Sequence, residues 1–103
     1  MTAIRTLASG SSGNAALLVS GGTRLLIDMG ISCRRICKAL ASLSLGPEDL
    51  TAVLITHEHN DHIKGLATYT KKYKTPLICT PGTAWQLDCR IPGVESRLCT
   101  AEL

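Results

Sequence analysis

Aromatic residues are scarce in this chain: phenylalanine is absent, and Trp and Tyr together account for only 3% of the 103 residues. A hydrophobic core must therefore come from Leu, Ile, Val and Ala, and a hydrophobic content of 45% is enough to build one. A chain of this length buries roughly 65% of its unfolded surface on folding. Residues 1–103 are thus predicted to form a single domain with a modest core.

Long apolar runs and a regular cysteine framework are also missing. No run approaches the ~20 residues of a membrane span, and the first residues lack the pattern of a signal peptide. The five cysteines are an odd number without finger spacing, which argues against a disulfide framework. Cys33 and Cys37 lie one helical turn apart, and we interpret them as small core residues. These features predict a cytoplasmic protein with reduced thiols and no membrane partner.

The positive charge of the chain is modest. A net charge of +3 and a pI near 8.7 suit a polyanionic substrate but are weak for a dedicated nucleic-acid binder. The run Lys71–Lys74 contains three lysines, which we interpret as cations at a helix C-terminus, where the helix dipole favours them. Nucleic-acid binding by this run is the alternative.

Apolar periodicity and turn residues predict strands that alternate with helices. A glycine turn at 21–22 joins two strands of an antiparallel hairpin, and the apolar run 51–56 is typical of an interior strand. Trp85 is interpreted as a packing residue. The full set of predicted strands is 3–8, 15–20, 23–28, 51–56, 76–80 and 97–103. Helices are predicted from a Ser32 cap to Leu43, over 61–73, and from a Thr83 cap through Leu87. This pattern indicates an α/β layer with a mixed sheet.

Histidine is confined to one short stretch that follows the predicted interior strand. Imidazole and carboxylate groups bind divalent metals at neutral pH, so His57, His59, Asp61 and His62 are candidate ligands. In an extended segment His57 and His59 point to the same side and can share one ion, whereas Asp61 and His62 can face a second point nearby. Two neighbouring metals activate water for phosphoester or amide hydrolysis. The alternative is a polar loop that caps the next helix, which does not account for three histidines.

The stretch 56–62 has the form T-H-x-H-x-D-H and resembles the signature of the metallo-β-lactamase superfamily. The segments Ser9–Asn14, Leu25–Gly30 and Leu54–Leu66 are similar, in order and spacing, to the opening motifs of the YycJ-type (WalJ-like) branch of that superfamily. The resemblance covers nearly the whole chain.

This resemblance implies an α/β fold, the N-terminal half of an αβ/βα sandwich with a mixed β-sheet and helices packed on one face. It implies two Zn²⁺ ions in the complete family site, with Mn²⁺ as an alternative. The implied activity is metal-dependent hydrolysis by a metal-bound hydroxide, with a phosphodiester such as DNA as substrate. Asp61 would be both a ligand and the catalytic residue that orients the water, with His57, His59 and His62 as the other ligands.

Two further features gain a role from the resemblance. Asp28 ends an apolar strand, where an acid is costly without a partner, and a capping role or solvent contact would be its simplest explanation. The resemblance implies instead an outer carboxylate that orients a metal-binding imidazole. The Ser/Gly loop before the second strand can present N–H groups and the side chains of Ser11, Ser12 and Asn14 to an anion, or it can be a plain connection.

The donors in this chain are too few for the complete family site. Two zinc ions with about four ligands each need more donors than His57–His62 supplies. The resemblance implies that the other ligands come from the second half of the sandwich. We therefore expect a partial or empty metal site and an apolar sheet face that favours a homo-oligomer or a complementary C-terminal half. The alternative function is a truncated, catalytically incomplete fragment that only binds metal or associates with itself.

Overall fold

The fold is built around one mixed β-sheet. The computed structural model describes residues 2–8, 13–56, 63–91, 94 and 98–100. Within these ranges the strands are β1 (Thr2–Ala8), β2 (Ala15–Ser20), β3 (Thr23–Ile27), β4 (Ala52–Leu54), β5 (Leu77–Cys79) and β6 (Leu98–Thr100). The strands lie in sequence order across the sheet. Strands β1 to β3 pair antiparallel, and β3 to β6 pair parallel.

The helices that lie wholly within the described ranges are α1 (Cys33–Ser42), α2 (Leu66–Lys72) and α3 (Pro81–Arg90). A 3₁₀ turn, Pro47–Asp49, separates α1 from β4. The predicted Ser32 cap is confirmed, because its hydroxyl accepts from the Arg35 N–H. Across the described ranges, no helix is both long and apolar enough to cross a membrane.

One predicted helix start was wrong. Thr80, not Thr83, caps α3, since the Thr80 hydroxyl accepts from the Thr83 N–H and Pro81 occupies the first helical position, where no N–H is needed. The helix predicted over 61–73 is interrupted, because Ile63 is helical but residues 64–65 form a turn and α2 begins at Leu66. Its predicted start at Asp61 lies outside the described residues. Gly65 is where the backbone passes against the Ile31 carbonyl, and that contact fixes the turn.

One face of the sheet carries the core. The cross-strand row Leu17, Leu26, Val53 and Leu77 is fully or almost fully buried. The apolar buried residues of all three helices belong to the same cluster, including Ile36, Leu66 and Leu87. The prediction of helices packed on one face is therefore confirmed for the described residues. Trp85 does not join this core and is 65% exposed, so the prediction that it packs was wrong.

The opposite face, which we call the open face, is also apolar. Its side chains are half-buried and lie outside the core cluster. They form adjoining rows across the middle strands and consist of Leu18, Leu25, Ile27, Leu54 and Ile78. Ile4 on β1 pairs with Leu18 and is 68% exposed. A sheet that is apolar on both faces but carries helices on one is typical of half a layered domain.

Candidate metal centre

The candidate centre lies where the parallel strands β3 and β4 end. Both strands run in the same direction, so the residues that follow them meet at one edge of the sheet, here called the carboxyl edge. Asp28 follows β3, and Thr56 follows β4 after Ile55. Thr56 is also the residue that directly precedes His57. The geometry of this pair therefore fixes the residue that directly precedes the histidine stretch.

Asp28 holds Thr56 through both of its carboxylate oxygens. Oδ1 accepts from the Thr56 backbone N–H at 2.8 Å, and Oδ2 accepts from the Thr56 hydroxyl at 2.7 Å. The Asp28 N–H in turn donates to the Leu54 carbonyl at 2.7 Å. A buried carboxylate with two short hydrogen bonds is satisfied, which explains how an acid is tolerated at 5% exposure.

The backbone of Asp28 adopts an unusual conformation. Its φ of 63° lies in the left-handed region, which Asp and Asn tolerate better than most residues. This conformation bends the chain sharply at the end of β3. The carboxylate is thereby aimed across the edge towards β4 and not along its own strand.

The segment after Asp28 is fixed from both sides. The Gly30 N–H donates to the Asn14 carbonyl at 2.8 Å, and the Gly65 N–H donates to the Met29 carbonyl at 2.9 Å. Gly13, with φ of 140°, approaches the Gly30 carbonyl so closely that a Cβ there would overlap it. These contacts connect the chain before β2, the segment after β3 and the turn before α2 to one another.

Not all of the predicted site residues lie within the described ranges. Of the metal ligands predicted from sequence, His57, His59, Asp61 and His62 fall outside them, as do Ser11 and Ser12. Asn14 and Asp28 are described, and the bond from Gly30 to Asn14 brings both to the carboxyl edge. Among described residues alone, His, Cys, Asp and Glu form no cluster of three that would hold a metal. The roles predicted for these residues therefore stay predictions.

The lysine run lies at the other edge of the sheet. Lys72 and Lys74 line an open cavity with Glu48 and Leu50, close to where β4 and β5 begin. Lys71 and Lys72 occupy the last turn of α2, as the sequence predicted. Because parallel strands begin at the edge opposite to the one where they end, this run is separated from Thr56 by the length of the strands.

Cys79 ends β5 at the carboxyl edge, but burial makes its thiol less reactive. The thiol is 3% exposed, and burial raises its pKa above the usual value of 9.0, with a smaller contribution from Cys99. A buried thiol with a raised pKa is a weaker nucleophile at neutral pH, because less of it is thiolate. Cys79 is therefore a packing residue of the edge.

Sequence reasoning missed the parts that hold the site together. Thr56 was assigned as the end of a strand and the first residue of the histidine motif, without a partner, although its hydroxyl donates to Asp28. The available signal was an acid at the end of one apolar strand and a threonine at the end of the next. Gly13 and Gly65 were also missed, because close backbone approach leaves no periodic pattern in a sequence.

Comparison with known proteins identifies the family. The profile described as "Metallo-beta-lactamase superfamily" matches residues 8–84. The exodeoxyribonuclease WalJ of Streptococcus pneumoniae serotype 2 is 48% identical over 80 residues, covering 78% of this chain and 29% of that protein. The exodeoxyribonuclease YycJ of Bacillus anthracis is 38% identical over 77 residues, covering 75% of this chain and 29% of that protein.

The fold agrees with this assignment. The solved structure of the metallo-beta-lactamase SMB-1 in a complex with mercaptoacetic acid superposes with a TM-score of 0.75 at 17% identity. The superposition covers 98% of this chain and 43% of that chain. The chain thus spans 29% of the length of the two exodeoxyribonucleases and less than half of the solved enzyme. With the family profile, the relatives and the fold in agreement, this chain belongs to the metallo-beta-lactamase superfamily.

Proposed function

We propose that this chain supplies one wall of a divalent-metal site that hydrolyses phosphodiester bonds in DNA. The observation that carries the proposal is the 48% identity to an exodeoxyribonuclease over 78% of the chain. In this proposal His57, His59, Asp61 and His62 are the metal ligands. Two Zn²⁺ ions serve the complete site, Mn²⁺ is the alternative, and the site in this chain alone is partial.

The donor types in the histidine stretch fit zinc, because imidazole and carboxylate are among its preferred ligands. When bound, such an ion supplies Lewis acidity and lowers the pKa of a water molecule towards about 7. The residues of this chain hold and orient the reacting groups. Asp61 orients the attacking water, and Ser11, Ser12 and Asn14 contact the substrate side.

The geometry of the carboxyl edge supports this assignment. Asp28 fixes both the N–H and the hydroxyl of Thr56, so the residue before His57 has one defined position. We assign Asp28 a second task, accepting a hydrogen bond from a metal-binding imidazole through its remaining lone pairs. A rigid support of this kind is what a metal site needs to keep its ligands in place. The five cysteines are all free of disulfides, which suits the cytoplasmic location that the proposal includes.

A nuclease assay tests the proposal directly. The chain is incubated at high concentration with end-labelled DNA and with Zn²⁺ or Mn²⁺, beside the variants His59→Ala and Lys64→Ala. Lys64 is exposed and follows the stretch without belonging to its donor set. We expect slow, metal-dependent cleavage that is lost in His59→Ala, by ~100-fold or more, and retained in Lys64→Ala. Cleavage that survives in His59→Ala would refute the assignment.

The open face supports a second candidate function. Leu18, Leu25, Ile27, Leu54 and Ile78 are half-buried and outside the core cluster, so this face is suited to a further layer. In this second proposal the chain is a catalytically incomplete module that binds metal or associates with itself or with a complementary C-terminal half. Absence of cleavage in either metal, together with self-association, would favour the module over the enzyme.

A further inference from the structure

Two open cavities lie next to each other along strand β1 on the helix-bearing face of the sheet. The first part, of about 400 Å³, is lined by Ala3, Ile4 and Arg5 on β1 and by Leu43 after α1. The second part, of about 380 Å³, is lined by Leu7 on β1 and by Ser42 on α1. We call the two parts together the β1–α1 groove. Except for Ile4, its strand residues face the side of the sheet opposite to the open face.

The floor of the groove is apolar. In its first part the surface is formed mainly by Leu17, Val19, Leu43 and Leu45, on β2 and on the chain that follows α1. Leu17 is 2% exposed and belongs to the core, whereas the other three are half-buried and pack against the core from outside. An apolar floor that stays accessible is suited to the aliphatic side chains of a ligand.

The charged residues that line the groove, within the part of the chain that the structure describes, are all cations. Arg5 and Arg24 line the first part, and Arg35 and Lys38 line the second. No Asp or Glu among the described residues lines either part. Within the described ranges, none of the four side chains forms an ion pair or a hydrogen bond. Four unpaired cations beside an apolar floor are complementary to a ligand that is both acidic and apolar.

The register places Arg5 and Arg24 on one face of the sheet. Arg5 pairs with Leu17 on β2, and Arg24 pairs with Val19, which also faces the core side. Arg5 and Arg24 are two strands apart across the sheet and two residues apart along the strands, so their Cα atoms lie roughly 12 Å apart. Both long side chains can therefore reach one bound segment from opposite sides.

We propose that the β1–α1 groove is a docking site for an extended peptide segment in which acidic and apolar residues alternate. In an extended chain successive side chains point to opposite sides, so the apolar ones enter the floor while the carboxylates meet the flanking cations. The length of β1, seven residues or roughly 23 Å, matches a segment of similar length. A nucleic-acid strand fits less well, because the lining has no aromatic side chain for base stacking.

The proposal is tested with a fluorescein-labelled peptide of alternating Glu and Val, about the length of β1, by fluorescence anisotropy on the full chain. We expect saturable binding that the double variants Arg5→Glu/Arg24→Glu and Arg35→Glu/Lys38→Glu each weaken by ~10-fold or more.

Arg34→Glu is the matched control, since Arg34 is exposed on α1 but does not line the groove. It should change the affinity by less than ~2-fold. A peptide with Gln in place of Glu should bind at least ~10-fold more weakly.

Three results would overturn the proposal. The first is the absence of saturable peptide binding. The second is a loss of peptide affinity in Arg34→Glu that equals the loss in the groove variants. The third is a labelled single-stranded oligonucleotide that binds more tightly than the peptide and whose binding the groove variants abolish. Circular dichroism checks that each variant folds. Because Arg24 is half-buried, Arg5→Gln/Arg24→Gln replaces the charge-reversal pair if that variant does not fold, and it should still weaken the peptide.

Discussion

At the scale of single residues, the chain depends on a few buried polar groups with exact partners. Asp28 accepts from two donors of Thr56, and Tyr69 shares a 2.6 Å hydrogen bond with Thr75 inside the core. Within the described residues, no buried side-chain polar atom lacks a partner. Where the group left behind is itself buried, as Thr75 is, removing its partner costs more than the hydrogen bond itself contributes.

The Asp28 pair gives a graded prediction. Asp28→Asn tolerates the same backbone conformation and keeps one acceptor for the Thr56 N–H, so we expect a loss of about 1 kcal/mol in the free energy of unfolding. Asp28→Ala removes both acceptors and places a Cβ without polar atoms at positive φ, so we expect about 3 kcal/mol. Urea unfolding measures both variants. Equal losses in the two would show that the hydrogen bonds to Thr56 are not what Asp28 contributes.

The buried thiols predict how stability depends on pH. Burial raises the pKa of both Cys33 and Cys79 above the usual 9.0. The unfolded chain therefore loses these protons first, so their contribution is complete below pH 9 and is lost as the pH rises further. We expect the urea midpoint to fall as the pH rises above ~9, and to fall less steeply in Cys33→Ala/Cys79→Ala. Cys89→Ala, at an exposed thiol, is the control and should leave the pH dependence of the urea midpoint unchanged. If the double variant also left this pH dependence unchanged, the buried thiols would not be its cause.

At the scale of elements, close backbone approach determines where helices begin. A Cβ on Gly65 would overlap the Ile31 carbonyl and press on the Cys33 backbone at the start of α1. The turn before α2 can therefore approach the start of α1 this closely only because residue 65 is a glycine. The same contact orients the segment that follows the histidine stretch.

Glycine substitutions separate this effect from simple helix propensity. We expect Gly65→Ala to lower the free energy of unfolding by roughly 1–3 kcal/mol, because the backbone must move to admit the Cβ. Gly82 lies in the first turn of α3 with no atom near its would-be Cβ, so Gly82→Ala should stabilise the protein by up to about 1 kcal/mol. Thermal unfolding measures the stability of both variants. If Gly65→Ala were as stable as the wild type, the close contact between Gly65 and Ile31 would be refuted.

The elements themselves were largely predictable from sequence, whereas their junctions were not. All six strands and the Ser32 cap follow from apolar runs and a polar residue before a periodic segment. The start of α2 was not predictable, because the Gly65 contact with Ile31 joins residues far apart in the chain. The donor types of the proposed metal site were readable from one short motif. The hydrogen bonds between Thr56 and Asp28 join residues far apart in the chain, and their sequence signal was only an acid and a threonine at the ends of neighbouring strands. The exposure of Trp85 was missed because helical spacing alone does not say which face meets the sheet.

At the scale of the whole molecule, one sheet separates two different surfaces. The helix-bearing face carries the core and the β1–α1 groove, and the open face carries half-buried aliphatic residues. The carboxyl edge between them holds Asp28 and Thr56. A second layer on the open face would leave the groove accessible and would enclose this edge from the other side.

The open face predicts self-association of the isolated chain. We expect a dimer or larger species in light scattering, and a shift to monomer in Ile27→Lys/Ile78→Lys, whose charges would be costly to cover. Trp85→Lys is the control, because it removes an exposed apolar side chain from α3 and not from the open face. A wild-type chain that stays monomeric at high concentration would contradict the prediction.

The central claim, that the histidine stretch forms one wall of a two-metal site, is tested most directly by zinc binding. Isothermal titration of the metal-free chain with Zn²⁺, beside His59→Ala, measures how many ions bind and how tightly. The account predicts at most one weakly held ion per chain, with affinity reduced ~10-fold or more in His59→Ala. Two tightly held ions per chain, or a His59→Ala variant that binds zinc like the wild type, would contradict it.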